Sequence, residues 1–126
     1  HAAREQRLEN LGLSAAKQRT VHQIAWLDDE QLAQWQLLPF SLRLTAMTQM
    51  TGIGPWTVTM WSMFVCAEPD CWSHGDLILR TRMAAIAADC GRPVDSILAD
   101  ASPFQTYLAL YIWAFKDRLL PLKTTP

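Results

Sequence analysis

Cysteine is scarce in this chain, and its placement excludes two architectures. Cys66, Cys71 and Cys90 are an odd number with no C-x-x-C pair. That is not a disulfide framework. Nor is it a four-cysteine iron–sulfur pattern, and the segment Lys116 to Pro126 holds no cysteine. The three thiols are expected to be small, partly buried apolar groups in a reducing cytoplasm. His1, His22 and His74 lack a metal-ligand spacing. Charge is thin as well. Charged residues are 18% of 126, and the net charge is −1. A partner held by bulk positive charge is therefore excluded, although a local patch is not. Lys17, Arg19, Arg80 and Arg82 are the candidates for such a patch, and each taken singly reads as an ordinary solvated helix charge. No apolar run is long enough to cross a bilayer, and nothing reads as a secretory signal, a repeat or a linker.

What is present is a core. Half of the residues are hydrophobic, six of them Trp, in one domain's worth of chain or less. The pattern predicts an all-α fold. Ser14 caps a helix to about Ala25, with a stripe at Ala16, Val21, Ile24 and Ala25. Asp28 caps a shorter one to about Leu37, ended by Pro39. Leu77 to about Cys90 follows, stopped by Gly91 and Pro93; Val94, Ile97 and Leu98 lie on a short turn or helix. A last helix begins at Ser102 and Pro103. From Tyr107 to Phe115 it is apolar all round, which predicts a place at the centre of the core.

The run Met50-Thr51-Gly52-Ile53-Gly54-Pro55-Trp56-Thr57 is the most informative stretch. Ser41 to Met50 reads as a helix with Ser41 as N-cap and apolar residues at Leu44, Met47 and Met50. Gly52 can end it by taking positive φ. Ile53 reads as an apolar plug, and Gly54 leaves no side chain between its amide and a ligand. Pro55 suits the first turn of the next helix, to about Val65. That helix would aim free amides and its positive end outward, a ready anion site. Two helices so joined, over about residues 42–65, form a helix-hairpin-helix. The plainer alternative is a helical corner whose glycines only close a turn.

Downstream stands His74-Gly75-Asp76-Leu77-Ile78-Leu79-Arg80, with a carboxylate at a helix start. Together with Leu11-Gly12-Leu13-Ser14, the glycine run, and Ser102-Pro103-Phe104-Gln105-Thr106-Tyr107 leading to Tyr111-Ile112-Trp113, it carries a resemblance. From about Leu11 to Phe115 the chain resembles the helix-hairpin-helix DNA glycosylases, and within them 3-methyladenine DNA glycosylase II. That resemblance implies an all-α, orthogonal helical domain that hydrolyses the N-glycosidic bond of alkylated purines in base excision repair. It makes Asp76 the catalytic carboxylate. Trp56, Trp113 and Tyr107 become base-binding residues, although core packing is an equal alternative for Trp113 and the plainer reading of Tyr107 and Tyr111. Gly52, Ile53, Gly54, Pro55 and Thr57 become contacts to double-stranded DNA. The backbone carbonyls of Thr48, Met50 and Ile53 become ligands of a monovalent cation, sodium or potassium, with no other cofactor required.

Two positions refine that expectation. Relatives that also cut the strand carry a nucleophilic lysine in the helix after the hairpin. Pro55 to Val65 contains no lysine, so no Schiff base forms by that route and base removal alone is expected. Departures also exist: Phe104-Gln105 stands where the family often has Trp-Arg, and Pro55 where some relatives have a basic residue. Asp76 before Leu77-Ile78-Leu79 is also a good N-cap, and His74 reads as a loop residue that could orient a substrate. The chain opens at His1 and reads as the C-terminal portion of such a domain, with upstream helices absent. Exposed core surface would then pair with a second copy or an upstream fragment. The expected location is the cytoplasm of a bacterium, near the nucleoid. The competing classes are a non-catalytic hairpin module that only binds DNA and a helical interaction domain with no DNA role.

Overall fold

The computed structural model describes Leu8 and residues 11–118. Among the described residues there are seven helices and no strand: α1 (Ala15–Ala25), α2 (Asp29–Leu37), α3 (Phe40–Met47), α4 (Pro55–Phe64), α5 (Leu77–Cys90), α6 (Val94–Ala101) and α7 (Gln105–Phe115). None is long and apolar enough to cross a membrane. The chain divides into two compact units, His1–Val58 and Thr59–Pro126.

Side-chain caps set the starts of α1 and α2. The Lys17 N–H donates to Ser14 Oγ at 3.4 Å, and the Gln31 N–H donates to Asp28 Oδ1 at 2.7 Å. Each satisfies a donor that the first turn would otherwise leave without a partner. The expected stripe on α1 is not core, because no residue of α1 is buried and Ala16 and Ile24 are exposed. What α1 presents to the rest of its unit is Thr20, a polar side chain set against Thr51 and Gly52.

The end of α2 is held by a buried cation. Arg43, on α3, is 2% exposed. Its Nε donates to the Trp35 carbonyl at 2.9 Å, and its Nη2 to those of Gln36 and Leu38 at 3.0 and 2.7 Å. Those carbonyls lie at the negative end of α2, so the guanidinium adds a charged donor there and complements the helix dipole. Trp35 and Met47 are buried in the same unit.

Helix α3 is shorter than the sequence pattern predicts. It starts after Pro39, with Ser41 inside it, and ends at Met47 rather than Met50. Beyond Met47 the chain tightens into a turn, with the Met50 N–H on the Met47 carbonyl at 3.1 Å.

In the second unit, α5, α6 and α7 pack on one another. Leu79, Met83 and Ala87 form the buried face of α5, Leu98 that of α6, and Thr106, Ala109 and Ile112 that of α7. Burying a side chain the size of Leu79 or Ile112 contributes roughly 1.5–3 kcal/mol. Helix α5 has the predicted bounds. Gly91 ends it at φ +62, where a left-handed turn brings the Arg92 N–H to the Ala87 carbonyl at 3.0 Å.

Helix α7 departs from expectation twice. It begins at Gln105, not at Ser102. Asp70 supplies the capping oxygens from far away in sequence. It accepts the Ser102 hydroxyl at 2.7 Å and the Gln105 N–H at 3.2 Å. Nor is α7 central. Phe104 before it, and Tyr107, Leu110, Tyr111 and Phe115 along it, are exposed. Only one face meets α5 and α6, so the all-round apolar character is not burial on every side, and Tyr107 and Tyr111 are not core.

Candidate functional site

The first candidate lies in the turn between α3 and α4. Met50 N–H bonds the Met47 carbonyl and Ile53 N–H the Met50 carbonyl, both at 3.1 Å, winding the chain tightly. Ile53 is buried, as an apolar plug should be. The two glycines differ in kind. Gly52 has φ +89, and a Cβ there would stand 2.0 Å from Thr20 Oγ1. Both its conformation and its neighbour demand glycine. Gly54 has no such demand, since a Cβ there would meet nothing within 4 Å.

The Gly54 carbonyl accepts the Val58 N–H at 3.2 Å and so opens α4. Among the described residues, no acceptor takes the N–H of Gly54 or of Thr57. Pro55 brings no N–H to this end. Trp56, the next residue, is exposed. This helix start can therefore offer amides to an anion without any charged side chain.

The carbonyls of Thr48, Met50 and Ile53 are the possible cation ligands. Met50 gives one lone pair to the Ile53 N–H and keeps a second. Among the described residues, no donor occupies the Thr48 or Ile53 carbonyl. Neutral backbone oxygens suit a hard monovalent cation. Among the described residues, no group of three or more His, Cys, Asp or Glu side chains is placed to hold a metal.

The second candidate lies wholly in the second unit. Asp76 caps α5, with the Leu79 N–H donating to Oδ1 at 2.9 Å. The Trp113 indole N–H reaches the same oxygen from α7, at 3.3 Å. Phe64, at the end of α4, stacks on Trp113 with centroids 6.5 Å apart and planes 26° from parallel. A half-buried carboxylate, held by two N–H donors at the positive end of a helix, thus stands beside an indole and an exposed phenyl ring. Such a carboxylate can stabilise positive charge that develops next to it, and the ring faces can take a flat cation.

Asp76 and Trp113 are therefore brought together, 37 residues apart in sequence. Tyr107 is turned elsewhere, 61% exposed with its ring 6.1 Å from that of Phe104. Trp56, Gly52, Ile53, Gly54, Pro55 and Thr57 belong to the first unit. Of the basic candidates, Lys17 and Arg19 lie on α1 and Arg80 and Arg82 on α5. His74 is exposed in the loop before Asp76.

Sequence reasoning missed Phe64. It lies in the apolar run Met60 to Val65, where nothing marks one residue as facing a site. It also missed Thr106, whose hydroxyl donates to the Glu68 carbonyl at 2.7 Å and accepts the Cys71 N–H at 3.0 Å. That hydroxyl ties the loop leading toward Asp76 to α7.

Protein-family models were compared with the chain and none matches, and no curated protein matches it.

Proposed function

We propose that this chain carries the helix-hairpin-helix domain of a monofunctional DNA glycosylase, which removes alkylated purines from double-stranded DNA. The observation that carries this reading is the contact of the Trp113 indole N–H with the Asp76 carboxylate at the start of α5. The open approach to Gly54 supports it independently.

The chemistry follows from the parts. An alkylated purine is a good leaving group, because it departs neutral from a cationic state. Once flipped out of the stack, its electron-poor ring finds an electron-rich face at Trp113. Trp56 is a second such face by resemblance. The bond from C1′ to the base nitrogen breaks with its electron pair going to the base. Positive charge builds on the sugar, and the Asp76 carboxylate stabilises it. A water oxygen then bonds to C1′ and gives up its proton, with Asp76 aligning or accepting it. The products are a free base and an abasic sugar. Pro55 to Val65 offers no lysine to attack C1′ instead, so the strand stays intact. At the turn after α3, the amides of Gly54 and Thr57 grip a phosphate and so position the duplex without reading its sequence. A sodium or potassium ion on the carbonyls of Thr48, Met50 and Ile53 would stiffen that turn and add positive charge near the phosphate.

The Leu79 bond favours a second reading, a hairpin module that binds DNA and does no chemistry, with Asp76 only a helix cap. Asp76→Asn separates the two. It keeps an oxygen for the Leu79 N–H but removes the charge. The assay is release of 3-methyladenine, 7-methylguanine or hypoxanthine from duplex DNA by the full natural protein. If Asp76 acts on the transition state, release falls by roughly two orders of magnitude or more while binding survives. Unchanged release in Asp76→Asn removes it from the mechanism. No release by the unaltered protein leaves the binding module.

A further inference from the structure

We propose that Phe64 is a positioning residue, which holds the Trp113 indole in the orientation that meets Asp76. The inference rests on the reading of Asp76 as the reacting carboxylate. The Trp113 bond is long, at 3.3 Å against a usual 2.9–3.0 Å for N–H to O. A small tilt of the indole therefore decides whether it is made. Tryptophan χ2 is a broad torsion, so the bond alone does not fix the ring plane.

Phe64 supplies the missing constraint. Its ring lies within the range of offset aromatic pairs. Its own backbone is pinned. The Val65 and Cys66 N–H groups both close on the Trp61 carbonyl, at 2.8 and 3.2 Å, and the Glu68 N–H bonds the Ser62 carbonyl at 3.0 Å. The end of α4 is thus a fixed arm that sets one ring against Trp113. Burial supplies little of the worth of Phe64, which is 64% exposed. Its ring contact with Trp113 is the aromatic contact the structure gives it. Removing the ring should let the indole swing, and Oδ1 of Asp76 would lose the Trp113 N–H.

The test reads Trp113 directly. The indole N–H signal is followed by nuclear magnetic resonance and assigned by its loss in Trp113→Phe. In the unaltered protein, Asp76→Asn should move that signal. In Phe64→Ala the same change should move it less than half as far, and Phe64→Tyr, which keeps the ring, should restore the full movement. Phe64→Leu is the companion variant, keeping apolar bulk without the flat face, and should behave as Phe64→Ala does. A constant ring-current offset drops out of this comparison, so a merely packing role leaves the response to Asp76→Asn unchanged. That outcome overturns the proposal.

Single-turnover base release gives a second readout. Phe64→Ala should slow it roughly ten- to a hundredfold, the range for one hydrogen bond to a charged group, with duplex binding unchanged. Equal rates in Phe64→Ala and the unaltered protein would also overturn it. If the unaltered protein releases no base, the glycosylase reading falls, and the resonance experiment still decides whether Phe64 positions Trp113.

Discussion

Gly52→Ala should cost about 2–4 kcal/mol, and the structure says how that cost divides. One part is conformational. At φ +89 a side chain is strained by about 1–2 kcal/mol wherever it stands. The other part is steric. The new methyl would lie 2.0 Å from Thr20 Oγ1, 3.1 Å from its Cβ and 3.3 Å from its Cγ2. Thr20 stands in mid-helix, and its hydroxyl already donates to the Ala16 carbonyl at 3.1 Å, a bond that turning the side chain away would strain. Forcing it aside should add about 1–2 kcal/mol, as overpacking does. A double-mutant cycle separates the parts. In a Thr20→Ala background, the hydroxyl and the γ-methyl are gone, and Gly52→Ala should then cost only the conformational 1–2 kcal/mol or so. In Thr20→Ser the hydroxyl remains and so should most of the penalty. The assay is denaturant unfolding followed by tryptophan fluorescence, with midpoints compared at constant slope. If Gly52→Ala costs the same with and without the Thr20 side chain, the close approach is not what excludes a Cβ. If it costs less than about 0.5 kcal/mol in the unaltered chain, both arguments fail.

Gly54→Ala should cost at most about 1 kcal/mol, the usual penalty for alanine at a helix N-cap, because a Cβ there meets nothing. Gly54→Val should nevertheless weaken binding to any duplex, damaged or intact; a loss confined to damaged DNA in a binding titration would count against the phosphate role. Arg43→Met should cost about 3 kcal/mol or more, since three carbonyls lose a charged donor. Arg43→Lys should recover little of it, because a point charge cannot serve that fork geometry; full recovery of the unfolding midpoint would refute the capping account. Thr106→Val should cost about 1–3 kcal/mol by removing the hydroxyl that bonds both the Cys71 N–H and the Glu68 carbonyl, and Thr106→Ser about 1 kcal/mol or less; similar thermal midpoints for the two variants would show that the hydroxyl is not the tie.

Local chemistry was legible in the sequence and remote chemistry was not. Ser14, Asp28, Asp76 and Gly91 were readable as caps because the groups they serve lie within a few residues of them. The start of α7 was misjudged for the converse reason. Ser102 and Pro103 have the composition of a helix start, yet Ser102 gives its hydroxyl to Asp70, and Asp70 does the capping across a separation of 35 residues. Arg43 is a different case, since the carbonyls it meets lie only 5, 7 and 8 residues away, across the turn between two helices. A cation in a helix of mixed pattern reads as solvated, and only the fold brings three carbonyls to it. The exposure of α7 was likewise beyond the pattern. An apolar side chain lowers the free energy only when a neighbour covers it, and the sequence of a helix does not name its neighbours.

The carboxylate site joins these two kinds of information. The bond from the Leu79 N–H to Asp76 is local, and it would form in any helix that opens with Asp-Leu-Ile-Leu. By itself it accounts for Asp76 as a helix cap, with no chemistry required. The bond from Trp113 does not follow from any local rule. It requires the end of α7 to meet the start of α5, two helices that pack on one another. A helix cap needs no indole. Because the cap is complete without Trp113, the indole and the ring behind it at Phe64 are the part of this arrangement that stability alone does not call for. That surplus is what the comparison of Asp76→Asn with Phe64→Ala measures. A site built for chemistry should lose rate in both variants and stability in neither, whereas a site built only to start α5 should lose nothing when Phe64 is changed.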